Sequence, residues 1–203
     1  MRWYREGLTL NLRKLELTDL DVVTQWIASP DFIKQVAGTP VESNESARAM
    51  SERLIHDNAD DQSQNCTLIA VDRQDGTPVG LALVCKIDWK NRHAEYAYII
   101  GSQRHRGTLA AGDMNVIIYG YLFEELGLNK VYGFVYADND SSFRINNFGG
   151  QIDGRLRCHQ PNLDGWRDVM VFSITKDGFK KFINQNANGV LRKHIARKLL
   201  KCG

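Results

Sequence analysis

Hydrophobic positions along the chain change their period twice, and the changes predict an order of elements. Leu8 to Leu17 alternates apolar and polar residues as a strand does. Thr18-Asp19 then starts a helix over Asp21 to Ala28, which Ser29-Pro30 ends. A second helix over about Ser43 to His56 places Met50, Leu54 and Ile55 on one side, and Asp57 to Asn65 is polar and loop-like. The apolar run Cys66 to Val71, a tight turn containing Asp75-Gly76, and Pro78 to Ile87 predict a hairpin. A further turn, WKNRH, leads into a strand over Ala94 to Ile100, so two hairpins in a row make an antiparallel meander.

The pattern changes after Ile100. SQRHRGTLAAGD is a loop with two glycines, and Val116, Ile117, Ile118, Leu122 and Phe123 give Met114 to Leu126 a helical spacing. Leu128 to Tyr136 is a strand, Ser141 to Phe148 a short helix, and Gly154 to Cys158 and Arg167 to Ile174 are strands separated by the HQPNLDG turn. Strand, loop, helix, strand is a right-handed crossover that sets two strands side by side in parallel. The expected fold is α+β (α/β): a mixed, mostly antiparallel central sheet with one parallel crossover and helices on both faces.

Composition narrows the class. With 203 residues, 43% hydrophobic and 25% charged, the chain suits one well-buried domain and excludes a disordered tail, a collagen-like fibre or a disulfide-framed miniprotein. The net charge of +2 hides a split, because all 24 acidic residues lie at or before Asp177. Residues 1–177 carry −5 and residues 178–203 carry +7. This divides the chain into a domain over 1–177 and a basic, helical C-terminal extension over 178–203. In the extension Leu191, Ile195 and Leu199 recur every four residues, as do Lys193, Arg197 and Lys201. Packing of the apolar stripe is favoured there over contact with nucleic acid or an anionic membrane surface. There is no run of 18 apolar residues and no apolar N-terminal stretch, and Cys66, Cys85, Cys158 and Cys202 form no CxxC pair. The expectation is a cytoplasmic protein with free thiols, no metal site and no transmembrane segment.

The loop from Arg104 to Gly112 carries the first chemistry. Backbone N–H groups at a helix N-terminus, with the helix dipole, suit a pyrophosphate. Gly107 allows close backbone approach, and Arg104 and Arg106 add charge and forked donors. Taken alone, these residues fit an ordinary glycine turn equally well.

Their context does more. The chain resembles the GNAT superfamily of acetyl-CoA-dependent N-acetyltransferases over about Leu10 to Ile174. The family pattern Q/R-x-x-G-x-G/A after a strand is met by Arg104-His105-Arg106-Gly107-Thr108-Leu109. LRKLELTDLD followed by Trp26, HAEYAYIIG, and FEELGLNKVYGFVYADNDSSFRINNFGGQIDGRLR resemble segments of the ribosomal-protein alanine acetyltransferase branch. HAEYAYIIG, the glycine loop and ELGLNKVYGFVYADN also resemble aminosugar acetyltransferases. Leu109 stands where the family has Gly or Ala, Asn146 where many members have a tyrosine, and Gln151 where phenylalanine is usual.

The resemblance implies transfer of an acetyl group from acetyl-CoA to a primary amine by direct attack in a ternary complex. It implies cofactor contacts from the backbone of Tyr98, Ile99 and Ile100, from Arg104, His105, Arg106, Gly107, Thr108, Leu109, Ala110, Ala111 and Gly112, and from Asn139 and Ser142. Glu95 becomes the candidate base, acting through water, with pairing to Arg92 or Lys86 as its structural alternative. Ser142, Asn146 and Tyr136 are candidate donors to the leaving thiolate. Trp26, Phe32, Trp89 and Trp166, with His159, are candidate walls of an acceptor pocket, although each taken singly fits packing at the core edge. The acceptor expected is an aminosugar, carried on a nucleotide, or another small amine. A protein N-terminus, a ribosomal-protein acceptor and an acyl-CoA-binding module with weak catalysis are the alternatives, and a homodimer is left open.

Overall fold

The computed structural model describes residues 5–30, 32, 43–57, 63–139, 149–162 and 165–185. Eight strands form one sheet: β1 (Arg5–Glu6), β2 (Leu10–Lys14), β3 (Cys66–Asp72), β4 (Pro78–Asp88), β5 (His93–Ile100), β6 (Lys130–Tyr136), β7 (Gln151–Asn162) and β8 (Gly165–Thr175). Their order is β1-β2-β3-β4-β5-β6-β8-β7. All neighbours are antiparallel except β5 and β6, which are parallel and joined by the expected crossover. Four helices lie among the described residues: α1 (Leu20–Ile27), α2 (Asn44–Asp57), α3 (Ala110–Gly120) and α4 (Lys176–Gln185).

Strand alternation sorts side chains onto two cores. On one face Leu68, Ala70, Ala82, Val84 and Tyr96 pack beneath α3 and α4. On the other, Ile69, Val71, Leu81 and Ile99 meet Val23 and Ile27 of α1 and Ala47 of α2. Met50, Leu54 and Ile55 pack against this second core, as their shared helix side predicts. A bidentate buried pair, Arg13 Nη1 and Nη2 to Asp19 at 2.6 and 2.7 Å, ties β2 to the start of α1.

Several boundaries differ from the sequence pattern. The helix expected from Met114 begins at Ala110 and runs into a π-turn over Tyr121–Glu125. It is buried on nearly every side, so it carries no polar stripe to mark its first turn. The expected HQPNLDG turn is strand as far as Asn162. Helix α4 covers the start of the extension expected to be helical over 178–203, and its Phe179 and Ile183 are core residues. The expected helix over 141–148 and residues 186–203 of the extension lie outside the described residues.

One buried carboxylate fixes the N-terminal turn. Asp113, 2% exposed in the first turn of α3, accepts the N–H groups of Leu8, Thr9 and Leu10 at 2.9, 2.7 and 2.9 Å and the Thr9 hydroxyl at 3.1 Å. Removing it leaves the buried Leu10 N–H without its acceptor, at a cost of about 1–3 kcal/mol, and frees the part-buried donors of Leu8 and Thr9. Asp113→Ala is expected to destabilise the fold by about 1–3 kcal/mol, read as a lowered urea midpoint at unchanged slope. A loss under about 1 kcal/mol would show that this turn is held some other way.

Candidate active site

The β5–β6 ladder is short. It pairs His93 with Lys130, Ala94 with Val131 and Glu95 with Tyr132, then stops, although β5 continues to Ile100 and β6 to Tyr136. Each strand follows its other neighbour instead: β5 stays paired with β4 as far as Ile100–Gly80, and β6 with β8 as far as Tyr136–Val169. The sheet therefore splays into a cleft. The Tyr96 carbonyl faces β6, lying 2.5 Å from where a side chain at Gly133 would begin, and the Ile99 carbonyl lies against Gly80 of β4. Alternation then turns the N–H groups of Tyr98 and Ile100 into the splay and that of Ile99 into the β4 ladder. Of the three backbone positions expected to meet the cofactor, Ile99 is thus committed elsewhere.

The loop beyond β5 is held from outside. Carboxylates only accept, so Asp72 Oδ2, 3.0 Å from His105 Nε2, accepts a hydrogen bond from the ring N–H; Nδ1 lies 2.9 Å from the Ser102 hydroxyl. Arg104 Nη2 reaches Asp75 at 2.9 Å and Asp72 at 3.3 Å. The His105 hydrogen bond, then the Gln74 N–H, hold Asp72 below the usual carboxylate range, and Asp75 is lowered by the Thr77 hydroxyl and N–H and by Arg104. Arg104 and His105, expected as phosphate contacts, pin the loop to the β3–β4 turn. Arg106 Nε donates to the Ile100 carbonyl at 3.1 Å.

The rest of the loop has backbone that could receive an anion. Gly107 adopts φ 72°, the left-handed region that glycine tolerates. Thr108 Oγ1 accepts from Ala110 N and donates to the His105 carbonyl. Ala111 and Gly112 are in the first turn of α3, where N–H groups have no intrahelical partner. Leu109 departs from the family pattern without strain, since its φ of −67° is ordinary helical backbone and its side chain is 67% exposed.

Glu95 sits at the last paired position, at the closed end of the splay. A bulge between Cys85 and Asp88 places Lys86 in the left-handed region at φ 52°. Its Nζ donates to Glu95 Oε2 at 2.7 Å, the pairing that the sequence offered as the structural alternative. Glu95 hydrogen bonding and charge raise the Lys86 pKa. Beneath the splay, Tyr96 donates to Asn115 Oδ1 at 3.2 Å; burial pushes Tyr98 up to about 12 against an opposing Asn115 hydrogen bond. Asp72, Asp75 and Asn115 escaped sequence reasoning because their partners lie 19 to 33 positions away.

The expected aromatic walls do not converge. Trp26 packs its indole against Gly101, leaving no room there for a methyl group, at the mouth of the splay. Phe32 is 5% exposed in the second core. Trp89 lies in the β4–β5 turn, at the opposite end of β5 from the loop. Trp166 is exposed next to the β7–β8 turn, beyond the Tyr136 end of β6, and His159 stacks on Phe134 with centroids 6.5 Å apart. Arg167 lies over the Tyr136 ring at 4.4 Å, and Asn139 N donates to the Tyr136 carbonyl at 3.0 Å. Ser142 and Asn146 lie outside the described residues. No group of three potential metal ligands occurs among the described residues, and none of their helices is long and apolar enough to cross a membrane.

The arrangement has recognisable relatives. The model of the acetyltransferase (GNAT) domain matches residues 9–147. A Bacillus licheniformis protein named uncharacterized N-acetyltransferase p20 is 29% identical over 174 residues, covering 85% of this chain and 95% of its own. A spermidine N-acetyltransferase from Vibrio cholerae, solved with CoA and spermine, superposes with a TM-score of 0.74 at 24% identity, over 85% of this chain and 98% of that one. A GNAT-family acetyltransferase from Bacillus anthracis gives 0.71 at 17% identity, over 85% and 98%.

The brace on the loop is testable. Asp72→Asn keeps the shape but weakens the grip on His105 and Arg104. It is expected to raise the KM for acetyl-CoA severalfold while leaving kcat nearly unchanged. Steady-state kinetics at saturating acceptor measure this, and an unchanged KM would show that the loop holds its form without Asp72.

Proposed function

The chain belongs to the GNAT acetyltransferase family, and on that premise we propose that it acetylates a small primary amine carried as an alkylammonium, with Glu95 as the base. As an N-acetyltransferase of this family it uses acetyl-CoA. The carrying observation is the Lys86 ammonium on Glu95, 2.7 Å away at the closed end of the splay. A carboxylate that seats one primary alkylammonium has the chemistry to seat another. The spermine-bound neighbour from Vibrio cholerae supports an extended amine of this kind. The aminosugar expectation draws less support, because the flat walls it called for are spread over both ends of β5.

Acetyl-CoA would lie along the open edge of β5. Its phosphates would meet the Gly107 turn and the N–H groups opening α3, through charge and helix dipole. The acyl-pantetheine arm would run back along the strand, with the N–H groups of Tyr98 and Ile100 as its donors. At a rise of about 3.3 Å per residue, Glu95 lies roughly 20 Å from Gly101, so phosphates and thioester occupy opposite ends of the splay. An alkylammonium has a pKa near about 10.4 and must lose a proton before attack. Glu95 takes it directly or through water. The amine then attacks the thioester carbonyl, and the thiolate leaves without strong acid help because its own pKa is near about 8.5.

Thiol release over a panel of alkyl diamines, polyamines, nucleotide-linked aminosugars and N-terminal peptides tests the acceptor class, with the alkyl amines expected to turn over best. Turnover confined to aminosugars or peptides would overturn it. Glu95→Gln is expected to lower kcat/KM at neutral pH by about 10²-fold or more, the usual contribution of a positioned base. The deficit should shrink as rising pH deprotonates the free amine. An unchanged pH–rate profile would remove Glu95 as the base.

A further inference from the structure

Lys86 invites a second conclusion, which rests on the same reading of Glu95 and the splay. Its amine is 2.7 Å from the carboxylate that would deprotonate an acceptor. Its side chain is 72% exposed, so neither packing nor burial holds it away from a ligand. The left-handed backbone at φ 52° leans it over Glu95, the strand partner of Cys85. Lys86 N is itself anchored to Asn65 Oδ1 at 3.3 Å, and Ile87 N to the Gln64 carbonyl at 2.9 Å, so the bulge is held in place. An enzyme built to acetylate primary amines thus carries one of its own beside its candidate base.

We propose that Lys86 is a self-acetylation site, taking the acetyl group from acetyl-CoA bound to the same chain when no free amine occupies Glu95. In that step Glu95 accepts a proton from the Lys86 ammonium, and the freed Nζ attacks the thioester carbonyl carbon. A C–N bond forms and the C–S bond breaks. The thiolate leaves with the electron pair, and the second nitrogen proton is lost as CoA is protonated. One acetyl-CoA yields acetyl-Lys86, CoA and a net proton, with no further reactant. The product amide is neutral and no longer pairs with Glu95 as a cation. Self-acetylation and a free amine acceptor therefore compete for one carboxylate. Because Glu95 raises the Lys86 pKa, the reaction quickens as pH rises through the alkaline range.

The test is peptide mapping by mass spectrometry of the full chain incubated with acetyl-CoA alone. Lys86 is expected to gain acetyl at least about tenfold faster than the exposed Lys90 and Lys180, as proximity to a positioned base requires. The first-order rate should be independent of protein concentration, and an added alkyl diamine should slow it. Glu95→Gln should bring Lys86 down to the rate of Lys90. Modification of Lys86 no faster than Lys90, or a rate that climbs with protein concentration, overturns the inference. Thiol release with added amines, followed in the same preparation, separates the two failures. Turnover of amines with Lys86 unmodified rejects self-acetylation alone, whereas absence of both rejects the site reading with it.

Discussion

The proposed chemistry depends on one place where two neighbouring strands stop pairing. Backbone N–H groups in a protein interior require partners, and sheets normally supply them. Here β5 is bonded along its length to β4, and β6 to β8, while only three residue pairs join the two halves. Beyond Glu95 and Tyr132 each strand keeps the twist of its own half. The N–H groups of Tyr98 and Ile100 face the gap. A ligand with an extended, amide-bearing arm would complete what the sheet leaves open, and acetyl-CoA, proposed to lie there, is such a ligand.

The ends of that gap differ in charge. At the open end, donors gather around Gly107 and the first turn of α3, while Asp72 and Asp75 engage Arg104 and His105. Two of the cationic side chains that suggested a phosphate site, Arg104 and His105, thus shape the loop. At the closed end a carboxylate holds an ammonium in partial exposure. Such a pair is worth little to stability, and under the proposed function its consequence is chemical, a protonated amine resting beside the proposed base.

Much of the fold was legible from the chain alone because its signals are local. The alternation in Cys66–Asp72 and Pro78–Asp88, the Asp75-Gly76 turn and the change of period after Ile100 each report their own neighbourhood. What was illegible depends on partners far along the chain. Helix α4 falls largely within the extension expected to be helical, but the packing of Phe179 and Ile183 into the first core depends on strands far earlier in the chain. The loop's motif was visible, but the turn that braces it lies about thirty residues earlier. Leu109 departs from the family pattern, yet the exposed helical position it occupies makes no special demand of the residue there. The tryptophans suggested a shared wall because sequence order hides which end of a strand a turn occupies.

Amide hydrogen exchange at Tyr98 and Ile100 tests the open-edge account most directly. With no strand across the gap, both amides should exchange quickly in the free protein and become strongly protected on saturation with acetyl-CoA. Ile99, bonded into β4, should be slow in both states. Slow exchange at Tyr98 and Ile100 before the cofactor is added, or exchange that the cofactor leaves unchanged, would contradict the claim that the unpaired edge of β5 is the cofactor site.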